Sequence, residues 1–110
     1  MSSNAQAGEA QVISVGPLAP KPRQAVIVSA TPDGSVLYST ETEQYFGLNK
    51  TGTFIWDSLH PKSDTVEDIC VALQAAFPSG LPDQIAIDVR RLLGRLVEKQ
   101  LVDVRGSPSE

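Results

Sequence analysis

Short runs of alternating hydrophobic and polar residues occupy the first half of the chain. Residues 25–28, 35–38 and 44–48 have the length and the β-branched or aromatic content of strands. The first two runs are separated by Thr31-Pro32-Asp33-Gly34, in which Gly34 is suited to the positive φ that a tight hairpin requires. A polar connection of hairpin length precedes the third run. The pattern therefore predicts a three-stranded antiparallel meander.

The period of the hydrophobic positions changes from two to 3.6 at Asn49, a favourable N-cap residue. We expect a second helix to begin at Asp64 or Thr65, since each is followed after three positions by an acidic residue that completes a cap. A third helix is expected from near Pro82, which suits a first helical turn, to about Gln100. The element order predicts an α+β fold, βββααα.

Each predicted helix has an apolar stripe at helical spacing, which we expect to face one common core. The inward positions are Gly52, Ile55, Trp56 and Leu59 in the first helix, Val66, Ile69, Cys70, Leu73 and Phe77 in the second, Ile85, Val89, Leu92, Leu93, Leu96 and Val97 in the third, then Leu101 and Val102.

The two ends of the chain differ in composition from the middle. Residues 1–24 are rich in Ala, Ser, Gly and Pro and are expected to form a flexible extension, although residues 12–15 have the character of an added strand. Residues 103–110 are expected to be a flexible tail. The folded domain is therefore placed at residues 25–102.

Composition and charge exclude several classes of function. A chain of 110 residues, 41% hydrophobic and 20% charged, is the size of one small domain. Its 9 basic and 13 acidic residues give a net charge of −4, which argues against capture of nucleic acid by a basic surface. The N-terminus does not have the pattern of a secretory signal, and no apolar run is long enough to span a bilayer, so a cytoplasmic protein is expected.

Residues with potential for chemistry have simpler structural explanations. Cys70 is the one cysteine and His60 the one histidine, which excludes an internal disulfide and a metal site of ordinary ligand count. Cys70 is interpreted as a small buried hydrophobe, Trp56 as a core residue, and His60 as a solvated or helix-capping residue. The acids lie in turns and at helix starts. We therefore expect no catalytic residue and no cofactor.

Three segments, in the right order and spacing, resemble PqqD-like proteins. The first is the run YFGLNKTGTFIWDSL at residues 45–59, where the third strand meets the first helix. The second is TVEDI at residues 65–69, and the third comprises Asp88-Val89, Leu96 and Leu101-Val102. The resemblance covers about residues 25–102.

That resemblance implies a winged-helix-like fold and a non-enzymatic module that recognises ribosomally synthesised precursor peptides. The leader of such a peptide is expected to lie against the third strand, as an added strand, and beside the third helix. The implied partners are the precursor leader peptide and a maturation enzyme, whether a radical SAM enzyme, a leader peptidase of a lasso-peptide pathway or another modifying enzyme.

Candidate binding residues follow from the periodicities of the matched elements. Strand alternation places Phe46 and Leu48 toward the core and Tyr45 and Gly47 on the other face. On the third helix, polar residues at i, i+4, i+7 and i+11 form a row, at whose border Leu92 supplies an apolar contact. The candidate site residues are Gln44, Tyr45, Phe46, Gly47 and Leu48 on the strand and Gln84, Asp88, Arg91, Leu92 and Arg95 on the helix.

Two other functions stay open at this point. A winged-helix DNA-binding protein would place the third helix in the major groove, but the acidic composition and the lack of a basic residue in the 31–34 turn argue against it. An assembly subunit would dock only to an enzyme. The basic residues of the third helix are equally consistent with a solvated helix face.

Overall fold

The protein has a three-stranded antiparallel sheet followed by three helices, as the hydrophobic pattern predicts. The structure is a computed structural model that describes residues 16–105. In chain order the elements are β1 (Lys21–Pro22), β2 (Val26–Thr31), β3 (Gly34–Ser39), β4 (Gln44–Asn49), α1 (Lys50–Asp57), α2 (Val66–Ala76), α3 (Pro82–Glu98) and β5 (Val102–Asp103). Within the described residues, none of the helices is both long enough and apolar enough to cross a membrane.

The hairpin between β2 and β3 depends on glycine. Thr31 and Gly34 form the last pair of the β2–β3 ladder, and Gly34 has a φ of +157°. A Cβ atom at Gly34 would collide with the carbonyl oxygen of Leu48 on β4. The prediction of a positive φ at Gly34 is confirmed, and the close approach of β4 adds a second reason for glycine.

Side-chain caps fix the starts of the first two helices. Asn49 Oδ1 accepts a hydrogen bond of 2.8 Å from the N–H of Gly52, as predicted for α1. Thr65 and Asp68 form a reciprocal capping box at α2, with distances of 3.0 and 3.2 Å. The start of α3 has Pro82 in its first turn and no side-chain cap.

The core lies between one face of the sheet and the three helices. Its sheet contribution comes from Leu37 and Leu48, and Trp56 is 7% exposed, which confirms its prediction as a core residue. The other large buried side chains are Ile55, Leu59, Val66, Ile69, Leu73, Ile85, Val89, Leu93, Leu96, Leu101 and Val102.

Some predicted inward positions lie at the rim of this core. Phe77 is the C-cap residue of α2 and is 38% exposed, and its ring packs edge-on against Phe54 with the centroids 5.9 Å apart. Phe77 was predicted on the apolar stripe of this helix, and it lies at the margin of that stripe rather than inside the core. Cys70, Leu92 and Val97 are half-buried and pack against the core from its margin.

The segment before β2 packs on the domain, which composition alone did not indicate. β1 pairs antiparallel with β5, so the two ends of the described chain form a two-stranded sheet. Ala19 is fully buried, and Pro20 is also buried and accepts a hydrogen bond of 3.2 Å from the N–H of His60. Prolines in this segment restrict the backbone without preventing burial, since an edge strand tolerates their missing donor.

Arg105 ties the C-terminal end to this segment. Its Nε donates to the carbonyl oxygen of Ala19 at 2.7 Å, and its Nη2 contacts both the carbonyl and the carboxylate of Asp64. The folded unit thus extends on both sides of residues 25–102, whereas composition predicted flexible segments at 1–24 and 103–110. The strand considered at residues 12–15 lies outside the described residues.

Candidate functional site

The backbone groups of β3 are divided between its two neighbours in the sheet. In an antiparallel ladder, alternate residues direct both N–H and C=O to the same neighbouring strand. Thr40 donates its N–H to the carbonyl of Ala25 at 3.0 Å, and the same parity assigns the even-numbered residues of β3 to β2. Glu43, just before β4, donates its N–H to the carbonyl of Ser39 at 2.7 Å. This bond agrees with the odd-numbered residues of β3 directing their backbone groups toward β4.

This division determines which groups of β4 face outward. Gln44, Phe46 and Leu48 pair with the odd-numbered residues of β3 and use their backbone groups there. Tyr45 and Gly47 therefore direct N–H and C=O away from the sheet. Within the described residues no strand pairs with this side of β4, because the sheet order is β2-β3-β4. The free edge is defined here by the outward groups of Tyr45 and Gly47.

Side chains of β4 alternate between two faces, as predicted. Leu48 is 8% exposed and Phe46 is half-buried, so both belong to the core face. Gln44 has the same parity but is exposed at the start of the strand. Tyr45 is 73% exposed on the opposite face, and Gly47 is exposed beside it.

Polar side chains predicted as a row on α3 are linked along the helix. Gln84 Nε2 donates to Asp88 Oδ1 at 2.9 Å, and Arg91 Nη1 lies 3.9 Å from the same oxygen. Both contacts are exposed, so each contributes little to stability. Gln84 and Arg91 therefore both lie next to Asp88 on one side of α3.

One contact joins this helix to β4. The guanidinium carbon of Arg95 lies 5.1 Å from the centroid of the Phe46 ring, within the range of a cation–π interaction. Leu92, one helical turn before, packs against the core. The structure thus brings Phe46 and Arg95 together at one border of the core, beside the free edge.

The remaining predicted residues contribute in other ways. The side chain of Leu48 is buried in the core and its backbone groups face β3, so Leu48 itself offers no group to a peptide at the free edge. A residue that the sequence analysis missed is Tyr38, whose ring lies 4.6 Å from that of Tyr45 between centroids. The alternation of β3 contained the signal, because Tyr38 and Tyr45 are cross-strand partners.

Groups with catalytic potential are not assembled into a reactive site in the described part of the chain. Burial raises the pKa of the half-buried Cys70 thiol, an effect that Glu67 reinforces and Arg90 opposes, so the thiol ionises less readily than an exposed one. His60 is half-buried, and its Nδ1 has no hydrogen-bond partner among the described residues. No group of three or more His, Cys, Asp or Glu side chains in residues 16–105 is arranged to hold a metal ion.

Comparison with known proteins identifies the family. The model of the family described as coenzyme PQQ synthesis protein D (PqqD) matches residues 34–102, more than half of the chain. The structure of TbiB1 in complex with the TbiA(beta) leader peptide is 31% identical in sequence, with a TM-score of 0.67, and the match covers 78% of this chain and 95% of that one.

A second solved structure has the same fold at lower identity. It is the PqqD truncation of Methylobacterium extorquens PqqCD, described as a functional, stand-alone recognition element for ribosomally synthesised and post-translationally modified peptides. It is 20% identical, with a TM-score of 0.63 and coverage of 77% of this chain and 88% of that one. No curated protein matches the chain significantly. From the family match and the 31% identity to TbiB1, the chain belongs to the PqqD family.

Proposed function

We propose that this protein binds the leader segment of a ribosomally synthesised precursor peptide and presents the peptide to a modifying enzyme. The observation that carries the proposal is the free edge of β4 beside α3, in a fold whose 31%-identical relative has been solved with a leader peptide. Neither similar structure is described as a DNA-binding protein. A strand edge with unpaired backbone groups is a template for an added peptide strand.

The backbone contribution to binding is limited. Tyr45 and Gly47 each offer one donor and one acceptor, and each added hydrogen bond contributes about 0.5–1.5 kcal/mol. Micromolar binding requires about −8 kcal/mol after the cost of association. The backbone of β4 therefore sets the position and direction of the leader, and side chains supply most of the remaining affinity and the selectivity.

Side chains on the core side of the free edge favour a leader with both apolar and acidic residues. Phe46 and Leu92 offer apolar surface at the border of the core. Arg95 stands over Phe46, and Arg91 lies on the same helix row, so two cations flank the apolar surface. An acidic leader residue forms charge-assisted hydrogen bonds with such guanidinium groups. Gln84 and Asp88 complete the polar row on α3, and the hydrogen bond between them restricts the orientation of these two side chains.

The chain's role in this proposal is binding without catalysis. The modification itself then belongs to a partner, such as a radical SAM enzyme or a leader peptidase of a lasso-peptide pathway. A reducing cytoplasmic compartment is consistent with a chain that has one cysteine.

Calorimetric titration of the full chain tests this function. The probe is a synthetic leader from the precursor encoded beside the gene of this chain, with the core segment of the same precursor and a duplex DNA as controls. The proposal expects micromolar or tighter binding of the leader alone, without any enzyme, and no binding of the core segment. Leader binding only in the presence of the enzyme would support an assembly subunit instead. Tight binding of duplex DNA that weakens steeply with salt would support the DNA-binding alternative.

A further inference from the structure

An apolar strip crosses the outer face of the sheet, the face opposite to the core. Ile27, Tyr38 and Tyr45 are paired in register across β2, β3 and β4, and the next row contains Ser29, Val36 and Gly47. Ile27 is 54% and Tyr45 73% exposed. None of these residues is charged. The strip reaches the free edge of β4 at Tyr45, whose ring is held against Tyr38 with the planes tilted by 43°.

Gly47 leaves a gap in this strip. A Cβ atom at Gly47 would meet nothing within 4 Å, and its φ lies outside the left-handed region, so neither space nor backbone conformation requires glycine. Glycine weakens a strand because it has high conformational freedom and no side chain to pack, and it often marks the close approach of a ligand or another backbone. The bare backbone at Gly47 lies beside the exposed ring of Tyr45 and opposite Val36.

The geometry points to a subsite on the outer face, formed by Gly47, Tyr45 and Val36, that takes a bulky apolar side chain of the leader, with an aromatic ring preferred. This inference rests on the proposed function. A leader residue paired with Gly47 on the free edge projects its side chain onto the same face as Tyr45. An aromatic side chain across from an edge glycine covers the bare backbone, a known way of stabilising such a pair.

Position and charge indicate that the leader peptide occupies this subsite. The subsite is continuous with the free edge on which the leader is proposed to bind, so the leader is the chain that reaches it. A charged leader residue finds no charged partner among the strip residues. The leader then contacts the protein on two faces. Phe46 and Arg95 contact it on the core side, and Tyr45 and Gly47 contact it on the outer side.

Substitutions at the subsite separate binding from stability. We expect Gly47→Val to fill the gap, to keep or raise the free energy of unfolding, and to weaken leader binding about fivefold, the size of one good cross-strand pair. Tyr45→Ala, which removes the ring beside Gly47, is expected to weaken binding similarly. Ser29→Val is the matched control, because it adds a similar side chain to the same face at the far strand.

The experiment uses the full chain, the synthetic leader described above and an alanine scan of that leader. Alanine replacement of one aromatic or large aliphatic leader residue is expected to weaken binding to the unchanged protein but not to Gly47→Val. In the complex with the unchanged protein, the protons of that leader residue should show NMR contacts to the Gly47 α-protons. If the unchanged protein binds the leader and both Gly47→Val and Tyr45→Ala stay within about twofold of it, this inference is overturned and the proposed function stands. Failure of the unchanged protein to bind the leader would overturn both.

Discussion

Arg95 lies over the ring of Phe46, with its guanidinium carbon 5.1 Å from the ring centroid. The contact connects α3 to the edge strand β4 and keeps a cation at the border of the apolar core. Phe46 is half-buried, and its backbone groups face β3. Because Arg95 lies over its ring, the ring and the Arg95 guanidinium together border the free edge. A leader strand added to β4 would have to pass this pair.

Replacement of Arg95 by alanine should affect binding more than folding. An exposed cation–π contact contributes about 0.5–1 kcal/mol to stability, whereas a hydrogen bond from a cation to an acidic leader residue contributes about 1.5–3 kcal/mol. We expect Arg95→Ala to lower leader affinity roughly tenfold or more, measured by calorimetry. Arg90→Ala is the matched control, since Arg90 is exposed on the same helix outside the row. Equal losses in the two variants would contradict a specific role for Arg95.

Proline substitutions at neighbouring positions of β4 test the direction of the backbone groups. Tyr45→Pro removes an outward N–H and should weaken leader binding with a small effect on stability. Gln44→Pro removes an N–H directed at β3, so it should lower the free energy of unfolding by about 1–3 kcal/mol. Chemical denaturation and leader titration of both variants give the comparison, with Tyr45→Ala to account for the lost ring. A larger stability loss in Tyr45→Pro than in Gln44→Pro would mean that the strand is paired the other way.

The sequence was sufficient for the elements whose signals are local. Gly34 in the first hairpin, the N-cap at Asn49 and the Thr65 capping box depend on residues within a few positions of each other. The first two were predicted, and the cap of α2 was predicted at Asp64 or Thr65, of which the structure has Thr65. The contact between Phe46 and Arg95 was not predicted, because it depends on how far α3 is rotated and shifted against the sheet. Alternation and helical spacing assign each side chain to a face, but they do not fix the distance between two elements.

The packed N-terminal segment illustrates the same limit. Its proline-rich composition suggested a flexible extension, yet Ala19 is buried in the core cluster, and Arg105, far along the chain, donates to its carbonyl. Composition reflects only the local conformational preference of such a segment. It does not indicate contacts with residues that are distant in the sequence.

Removal of the Arg105 side chain should therefore destabilise the folded chain. Arg105→Ala leaves the carbonyl oxygens of Ala19 and Asp64 without their charged donor. Because the side chain is partly exposed, we expect a loss of about 1–2 kcal/mol in the free energy of unfolding, less than for a fully buried charged hydrogen bond. Thermal denaturation of Arg105→Ala and of Arg91→Ala, whose ion pair is exposed, provides the comparison. Equal stability of the two variants would show that the segment contributes nothing through Arg105.

The Cys70 thiol should react slowly in the folded protein. Its pKa is raised mainly by burial, so the reactive thiolate is scarcer at a given pH than in the unfolded chain. The rate of alkylation by iodoacetamide rises with pH as the thiol ionises. This rise should occur at a higher pH in the native protein than in the protein unfolded in urea. Native and denatured protein with the same alkylation rate at neutral pH would contradict the burial of this side chain.

Hydrogen exchange at the free edge tests the central claim most directly. The N–H groups of Tyr45 and Gly47 point outward, whereas those of Phe46 and Leu48 bond to β3, so without peptide the first two amides should exchange much faster. A saturating leader peptide is predicted to protect Tyr45 and Gly47 from exchange, because each N–H then donates to the added strand. Tyr45 and Gly47 amides that stay unprotected while the leader is bound would contradict recognition by strand addition to β4.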